Sequence, residues 1–385
     1  MLRALRDTGS ARVTELVAAT GLSRPTVTAA VSTLTTDGWV EEVEATESDT
    51  PRMGRPARVL RFRADARHVL GIDVGPHKVY CAVADFNGTV VAHVRRDITS
   101  VTTHADLLDH VRLAIVRALD EAGVEPTSLA AVGVGTPGIV DERRGAIVQA
   151  PSVPGWNSLE LARWLRQSVD CPVHIDNDVN LAVMAEQWIG AGSATDNLVL
   201  VQWGSRVGAA VLVQGQLHRG AHGAAGEIGF VDLAAEPQGV QPDGLGPLES
   251  AIGTAAIVRR ARELGDITSR GAADVLAAAT QGEQRALQVI DEVAAQFARG
   301  FAPFLAAIDP ELVIIGGRIT LAGETIRSRV AHHLQVRALA TPRLELSALG
   351  DDAVALGAVK LAAADAEQRL LDSYMYLSTD GAGRP

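Results

Sequence analysis

The sequence predicts an α/β protein that begins with a winged helix-turn-helix and continues into a larger domain of alternating strands and helices. Three observations support this fold class. At 385 residues the chain is too long for a single hydrophobic core. A helix, a glycine turn and a second helix fill the first 35 residues, and two short apolar runs follow. From residue 69 onward, β-branched runs alternate with helical periodicity, which is typical of α/β folds.

The composition predicts a cytoplasmic globular protein. Cys81 and Cys171 stand alone in apolar surroundings, as core residues of a reducing compartment do. No apolar run reaches the length of a membrane span, and charged residues interrupt the start where a signal peptide would be apolar. We therefore expect a cytoplasmic location and no membrane partner.

The net charge of −11 argues against nucleic acid only until its distribution is considered. Residues 1–68 carry ten Arg and nine Asp or Glu, a net charge of +1, so all of the excess negative charge lies in the remainder, which has 25 basic and 37 acidic residues. Within this first part, residues 52–67 hold six arginines and one acid. A basic segment of this kind is compatible with a nucleic-acid contact.

The first 35 residues form a helix pair. The helix at residues 13–19 ends at Gly21, which suits a left-handed cap. Ser23 then acts as an N-cap, with Pro25 in the first turn, where its missing N–H costs nothing. The second helix extends to about Thr35, and its inward face repeats at helical spacing: Val27, Val31 and Leu34.

The outward face of the second helix carries short side chains that suit DNA contact. Short hydroxyls and methyl groups can approach phosphates and base edges, and an arginine at the helix start is placed for a phosphate. The candidate residues are Arg24, Thr26, Thr28, Ala29 and Ser32. The alternative is an ordinary helix surface of small residues.

Two predicted strands, at residues 39–41 and 59–62, flank a polar loop and complete a winged helix-turn-helix. The loop is rich in Pro, Gly and Arg, and its candidate DNA-contacting residues are Arg52, Arg55 and Arg58. An extended arginine suits a narrow minor groove. The alternative is a solvated linker, and in either case residues 1–68 form the first unit.

Residues 196–230 contain a predicted strand pair that leads into a glycine-rich loop with one acid, Glu227. Such a loop lets backbone approach a ligand closely, or it is simply a tight turn region. Earlier in the chain, a predicted helix that extends to about Ile189 opens with Asp176, Asn177 and Asp178. These residues either cap the helix or bind a ligand there.

The motif G-A-A-G-E-I-G at residues 223–229, after a strand–turn–strand, resembles the signature of the ROK (repressor, ORF, kinase) family. The resemblance extends over residues 69–365 and implies a two-lobed actin-like, sugar-kinase-like fold. We expect a first lobe at residues 69–195, a second lobe with the dimerisation region at 196–372, and a mobile tail at 373–385.

The resemblance also implies a sugar site. The residues matching the family's sugar contacts are Asn157, Asn177, Asp178, Glu227 and Glu249. Asp178 stands at the position of the kinases' general base and would be vestigial here.

The phosphate and zinc positions of this family are altered. His77 replaces the threonine of the first phosphate loop, and Arg206 replaces the middle glycine of the second, where we expect it to fill the nucleotide site. Phe230 replaces a zinc-binding histidine, and residues 240–249 contain no cysteine, so we expect a loop held by prolines and apolar packing. We therefore expect no kinase activity, no cofactor and no metal.

The sequence thus predicts a sugar-responsive repressor of carbohydrate-metabolism genes. It would bind an inverted-repeat operator as a homodimer or a dimer of dimers. Two alternatives remain open at this point: a ROK sugar kinase with an attached DNA-binding head, and a constitutive DNA-binding protein with vestigial lobes.

Overall fold

The computed structural model describes residues 1–44, 58–98, 103–150, 155–232, 244–265 and 271–379. For residues 58, 104 and 373–379 it describes the backbone alone. Within these ranges the chain forms an N-terminal head, two lobes each built on a five-stranded sheet, and a long C-terminal helix. No helix in these ranges combines the length and apolar character needed to cross a bilayer.

The head is a helix-turn-helix with a small antiparallel sheet. Its elements are α1 (Leu2–Thr8), β1 (Ser10–Ala11), α2 (Val13–Thr20), α3 (Arg24–Thr36), β2 (Val40–Glu44) and β3 (Arg58–Phe62), with strand order β1-β3-β2. Gly21 ends α2 at a φ of 69°, and the Ser23 hydroxyl accepts a hydrogen bond from the Thr26 N–H, as the caps predict. The two helices and the two longer strands are confirmed, whereas β1 has no sequence signal. The loop between β2 and β3, with Arg52 and Arg55, lies outside the described residues.

The first lobe is a mixed sheet in the order β10-β7-β4-β5-β6. Strands β4, β5 and β6 form an antiparallel meander, and β7 and β10 run parallel to β4. The elements are β4 (His68–Val74), β5 (Lys78–Asp85), β6 (Val90–Asp97), α4 (His104–Ala122), β7 (Leu129–Thr136), β8 (Ile139–Asp141), β9 (Ala146–Gln149), α5 (Leu161–Leu165), β10 (Val173–Asn177) and α6 (Asp178–Ile189). The short elements β8, β9 and α5 were not predicted.

The second lobe has the same plan, with strand order β13-β12-β11-β14-β15. Its elements are β11 (Leu198–Trp203), β12 (Val207–Val213), β13 (Gln216–Leu217), α7 (Pro247–Ile252), α8 (Thr254–Glu263), α9 (Ala272–Thr280), α10 (Gln284–Ile308), β14 (Leu312–Gly316), α11 (Gly323–Gln335) and β15 (Arg343–Leu346). Phe297 and Phe301 of α10 are fully buried. Phe297 stacks with Trp203, and Phe301 stacks with Phe297, so this apolar helix face is core.

Helix α7 corrects the expectation of a loop at residues 240–249. It begins at Pro247, whose ring fixes a helical φ at the first position of the helix. Glu249 therefore lies on a helix, and residues 244–246 lead into it, while residues 233–243 lie outside the described residues.

The last helix, α12 (Ala353–Thr379), leaves the second lobe and lies on the sheet of the first. A Cβ atom added at Gly71 of β4 would lie 2.3 Å from the carbonyl oxygen of Ala355, and one at Gly133 of β7 would lie 2.1 Å from that of Ala358. Only glycine permits so close an approach of helix and sheet. Residues 353–372, which we placed in the second lobe, thus pack on the first lobe, and Ala353, Val354 and Ala358 also pack with strands of the second. The domain boundary stays a prediction, and residues 373–379 of the expected tail continue the helix.

Candidate functional site

The start of α6 places two of the predicted ligand residues. Asn177 is the N-cap: its side-chain oxygen accepts hydrogen bonds from the N–H groups of Val179, at 2.8 Å, and Asn180, at 3.2 Å. Its amide nitrogen donates to the carbonyl oxygen of Gly138, at 2.9 Å, which ties the loop after β7 to α6. The capping interpretation of Asn177 is therefore correct, and its side chain also holds the loop after β7 at the start of α6.

Asp178 lies among other acids. Burial raises the pKa of Asp178 to about 7, and the charges of Asp73 and Glu227 add to this effect. Burial likewise raises the pKa of Glu227, with the charge of Glu249 acting in the same direction and that of Arg206 against it. The charges of Asp73 and Glu227 thus act on Asp178, and that of Glu249 acts on Glu227. We call the region between the two lobes that holds these four carboxylates the cleft.

The glycine-rich loop after β13 holds Glu227 in place. Gly226 has a φ of 90°, and a Cβ atom there would lie 1.9 Å from the carbonyl oxygen of Ala209. A Cβ atom at Gly229 would lie 2.4 Å from the Glu249 side chain. The glycines on both sides of Glu227 are therefore required by close packing against β12 and α7, which fixes the acid at the wall of the cleft.

Glu249 is buried and already has partners for both carboxylate oxygens. Oε1 accepts a hydrogen bond from the Val207 N–H, and Oε2 accepts one from the Gly246 N–H, each at 2.9 Å. The Arg206 guanidinium lies 3.3 Å from Oε2 and also donates to the carbonyl oxygen of Gly244 at 2.6 Å. Arg206 therefore turns toward Glu249, and its occupation of a nucleotide site stays a prediction. A ligand hydroxyl would have to share the oxygens of Glu249.

Asn157 occupies a different setting. It is exposed, and its side-chain oxygen accepts a hydrogen bond from the Ala150 N–H at 2.8 Å, across residues 151–154. Within the described residues, no hydrogen bond joins it to Asp178 or Glu227. Its sugar contact stays a prediction.

Sequence reasoning missed two cations at the cleft. The Lys78 ammonium nitrogen lies 2.9 Å from Asp73 Oδ2 and donates to the Asp351 carbonyl oxygen at 3.0 Å. Arg219, on the glycine-rich loop, pairs with Asp176 at 2.5 Å and with Glu142. In the sequence, Arg219 follows the strand pair and directly precedes Gly220. This position of a cation beside the glycine-rich loop was the signal from which its role could have been predicted.

The DNA-binding candidates on the head lie on one exposed helix face. Arg24, Thr26, Thr28, Ala29 and Ser32 are all exposed on α3, while Val27, Val31 and Leu34 face the core. Thr28 donates its hydroxyl hydrogen to the Arg24 carbonyl oxygen at 2.9 Å, which leaves its oxygen lone pairs toward solvent. Arg58 starts β3, but its side chain is outside the described part of the structure.

A sequence profile of the ROK family matches residues 69–365, which is most of the chain. The chain belongs to the ROK family. A second profile, the IclR helix-turn-helix domain, matches residues 1–44. Both matches agree with the architecture described above, in which an α/β ROK domain follows a helix-turn-helix head.

The relatives of this chain include both repressors and sugar kinases. The chain is 24% identical over 384 residues to the xylose repressor of Caldicellulosiruptor bescii, covering 95% of this chain and 94% of the repressor. It is 29% identical over 313 residues to a glucokinase of Halalkalibacterium halodurans, covering 76% of this chain and 93% of the enzyme. The fold is similar to the crystal structure of a ROK family transcriptional regulator described as a homologue of the E. coli MLC protein, with a TM-score of 0.76, 21% identity and 92% of each chain covered.

The residues of this ROK protein do not fit the zinc ion of the family. Phe230 stands at the histidine position and is 39% exposed. The two cysteines, Cys81 and Cys171, lie in the first lobe, and burial raises the pKa of both thiols, that of Cys171 to about 11. Zinc ligation needs a thiolate or an imidazole at set spacing. In the described part of the chain, no group of three or more His, Cys, Asp or Glu side chains is arranged to hold a metal.

Proposed function

We propose that this ROK protein is a sugar-responsive transcriptional regulator, acting as a repressor of carbohydrate-metabolism genes. One observation carries the proposal: the cleft that holds Asn177, Asp178 and Glu227 lies in the same chain as a head with an exposed recognition helix. The xylose repressor of similar length supports this combination, because its alignment omits only 5% of the chain and so includes most of the head. We propose a cytoplasmic protein.

The phosphate side of the cleft argues against kinase activity. The strand that ends at Asp73 and Gly75 resembles the first phosphate loop of the family's kinases, in which the acid at the Asp73 position interacts with the magnesium of the nucleotide. Here the ammonium of Lys78 lies against that carboxylate, so a cation of the chain itself takes the place next to Asp73. We infer that Lys78, together with His77, prevents productive nucleotide binding, and that Asp178 is a ligand contact and not a base in catalysis.

The charges at the cleft favour an uncharged sugar. Lys78, Arg206 and Arg219 each pair with a carboxylate already. The remaining groups, Asp178 and Glu227, are acids whose oxygens suit hydroxyl donors. A phosphorylated sugar would bring negative charge to these acids, so we expect free sugars to bind and their phosphate esters to bind far more weakly. Xylose and glucose are the first sugars to test, since they are the sugars in the names of the relatives.

The DNA partner is an inverted-repeat operator bound by two heads of a homodimer, or of a dimer of dimers. The exposed face of α3 would enter the major groove, and Arg52, Arg55 and Arg58 of the wing would reach the adjacent backbone or minor groove. Protein two-fold symmetry then sets the spacing of the two half-sites. The ligand acts by favouring one arrangement of the heads, which requires different affinities for the two states.

A combined experiment tests the proposal. The purified protein is used to select duplex DNA from its own genome, with and without xylose and glucose, and thermal shifts with the same sugars report ligand binding. We expect a selected inverted repeat and a sugar that both stabilises the protein and changes its affinity for that repeat. DNA selection without any sugar response would favour a constitutive DNA-binding protein.

The alternative function, a sugar kinase with a DNA-binding head, is supported by the glucokinase relative. It is tested by incubation with ATP, magnesium and a panel of sugars while ADP is measured. ADP formation that Asp178→Asn abolishes would replace the repressor proposal by this alternative.

A further inference from the structure

The head is fastened to the rest of the protein by an ion pair between the two ends of the chain. Glu367 of α12 accepts a hydrogen bond from Arg3 Nε at 2.9 Å on one carboxylate oxygen and from Arg6 Nη1 at 2.6 Å on the other. The Glu367 side chain is only 19% exposed. Burial alone would raise its pKa, but the hydrogen bonds from Arg6 and Arg3 outweigh burial and lower the pKa of Glu367.

A second, apolar contact keeps the head beside the first lobe. Trp39, just before β2, packs edge-on against Phe86 of the first lobe, with ring centroids 4.7 Å apart. The apolar core of the head, which includes Leu2 and Leu5 of α1, is continuous with residues of α12 such as Val359 and Ala362. Among the described residues, the head is thus held by a charged contact at Glu367 and by an apolar contact that includes Trp39 and the α1 side chains.

The same helix α12 packs against the ligand helix α6. A Cβ atom at Gly357 of α12 would lie 1.9 Å from the carbonyl oxygen of Leu181, which is three residues after Asp178. Val354 and Ala358 of α12 share an apolar cluster with Val179 and Ala182 of α6. Because the two helix backbones are in such close contact, no free space separates them. A displacement of α6 must therefore displace α12 or break their packing.

We propose that α12 couples the sugar site to the head, with Glu367 as the contact that determines how firmly the head is held. This inference rests on the proposed function and adds a route to it. A sugar at Asp178 shifts α6, the shift moves α12, and the position of Glu367 relative to Arg3 and Arg6 changes. Because packed helices move as rigid bodies, a small displacement at the ligand end is delivered to the ion pair at the other end.

The test compares Glu367→Gln with a control on the same helix, Asp372→Asn, whose carboxylate is bonded within α12 to Gln368. Two quantities are measured for the full chain: the Kd for xylose or glucose, whichever stabilises the wild type, and the ratio of DNA affinities with and without that sugar. The DNA is the duplex that binds the wild-type protein most tightly among those selected from a random library. That ratio is the coupling between the two sites.

We expect Glu367→Gln to bind the sugar with a Kd within about twofold of wild type while the coupling ratio falls by about fivefold or more. Asp372→Asn should keep both values. A charge exchange, Glu367→Arg with Arg3→Glu and Arg6→Glu, should restore part of the ratio. Hydrogen exchange of the α1 amides gives a readout without DNA: the sugar should change it in wild type and not in Glu367→Gln.

Three outcomes overturn the inference. A Glu367→Gln protein with the wild-type coupling ratio would show that the ion pair is only structural. Equal loss of coupling in Asp372→Asn would show a general effect of altering α12. A wild-type protein that no sugar stabilises would refute the proposed function and this inference with it, whereas the first two outcomes leave the proposed function intact.

Discussion

Lys78 places its ammonium nitrogen 2.9 Å from the carboxylate of Asp73, across the turn that joins β4 to β5. The Asp73 side chain is only 5% exposed and that of Lys78 is 21% exposed. Burial raises the pKa of Asp73, and the charge and hydrogen bond of Lys78 oppose this rise. The lysine therefore holds the pKa of this buried acid below the value that burial alone would give.

The first prediction concerns this pair. Lys78→Met removes the group that opposes burial, so the folded-state pKa of Asp73 rises further. When the pKa of an acid is higher in the folded than in the unfolded state, the free energy of unfolding falls as pH increases, because the unfolded chain releases the proton first. We expect a loss of about 1–3 kcal/mol in the free energy of unfolding at pH 8, and a smaller loss at pH 5. Urea denaturation at the two pH values measures both.

The other lysine provides the control for that prediction. Lys360 lies over the ring of Trp188, 5.2 Å from its centroid, and its loss should cost less than about 1 kcal/mol at either pH. A Lys78→Met protein as stable as Lys360→Met at pH 8 would mean that the Lys78–Asp73 pair contributes little.

The second prediction concerns the pH dependence of sugar binding. The pKa of Asp178 is raised to about 7 by burial, by Asp73 and by Glu227. If the ionised carboxylate accepts the sugar hydroxyl, the apparent Kd should rise about tenfold between pH 8 and pH 6, because the competent form becomes a minority. Calorimetric titrations with the stabilising sugar measure this. A flat profile would show that Asp178 binds in either protonation state.

The third prediction separates binding from stability at the same residue. Since the raised pKa means that the folded state disfavours the ionised form, Asp178→Asn should raise the melting temperature at pH 8. At pH 4 the carboxyl group is protonated in the folded state, so the gain should nearly vanish. The variant should also bind sugar more weakly and lose the pH dependence. A variant less stable than wild type at pH 8 would contradict the electrostatic explanation.

The fourth prediction concerns Arg219, which connects the glycine-rich loop to Asp176, next to the start of α6. Arg219→Gln leaves Asp176 buried without a cation and releases the loop that carries Glu227. We expect sugar affinity to fall by about tenfold or more, as loss of one well-placed polar contact does. Arg163→Gln is the control, because Arg163 is 82% exposed and pairs only with a neighbour on the surface. Equal sugar affinities of the two variants would exclude a positioning role.

The fifth prediction concerns the wing. Arg55→Ala should weaken operator binding and lower the slope of log K against log salt by about one, as loss of one phosphate contact does. Arg24→Ala at the start of α3 should act similarly. Arg117→Ala on α4 is the control and should leave the slope unchanged. If Arg55→Ala retains the wild-type affinity and slope, the wing does not contact DNA.

The sequence by itself determined the elements whose causes are local. Gly21 and Ser23 set the boundary between α2 and α3, because a left-handed cap and an N-cap act within one helical turn. The glycines around Glu227 and the capping residues at Asn177 likewise marked the cleft. Segments with weak local signals were not predicted. These are the short hairpin of β8 and β9 and the helix that begins at Pro247.

Only the tertiary structure decided which distant side chains meet. Arg206 and Glu249 are 43 residues apart, as are Arg219 and Asp176, and Arg3 and Glu367 are separated by 364. Neither helical periodicity nor strand alternation can choose such partners, because both act over a few residues. The placement of α12 on the first lobe has the same cause: glycines in β4 and β7 let the helix approach, and that fit exists only once the sheet has formed.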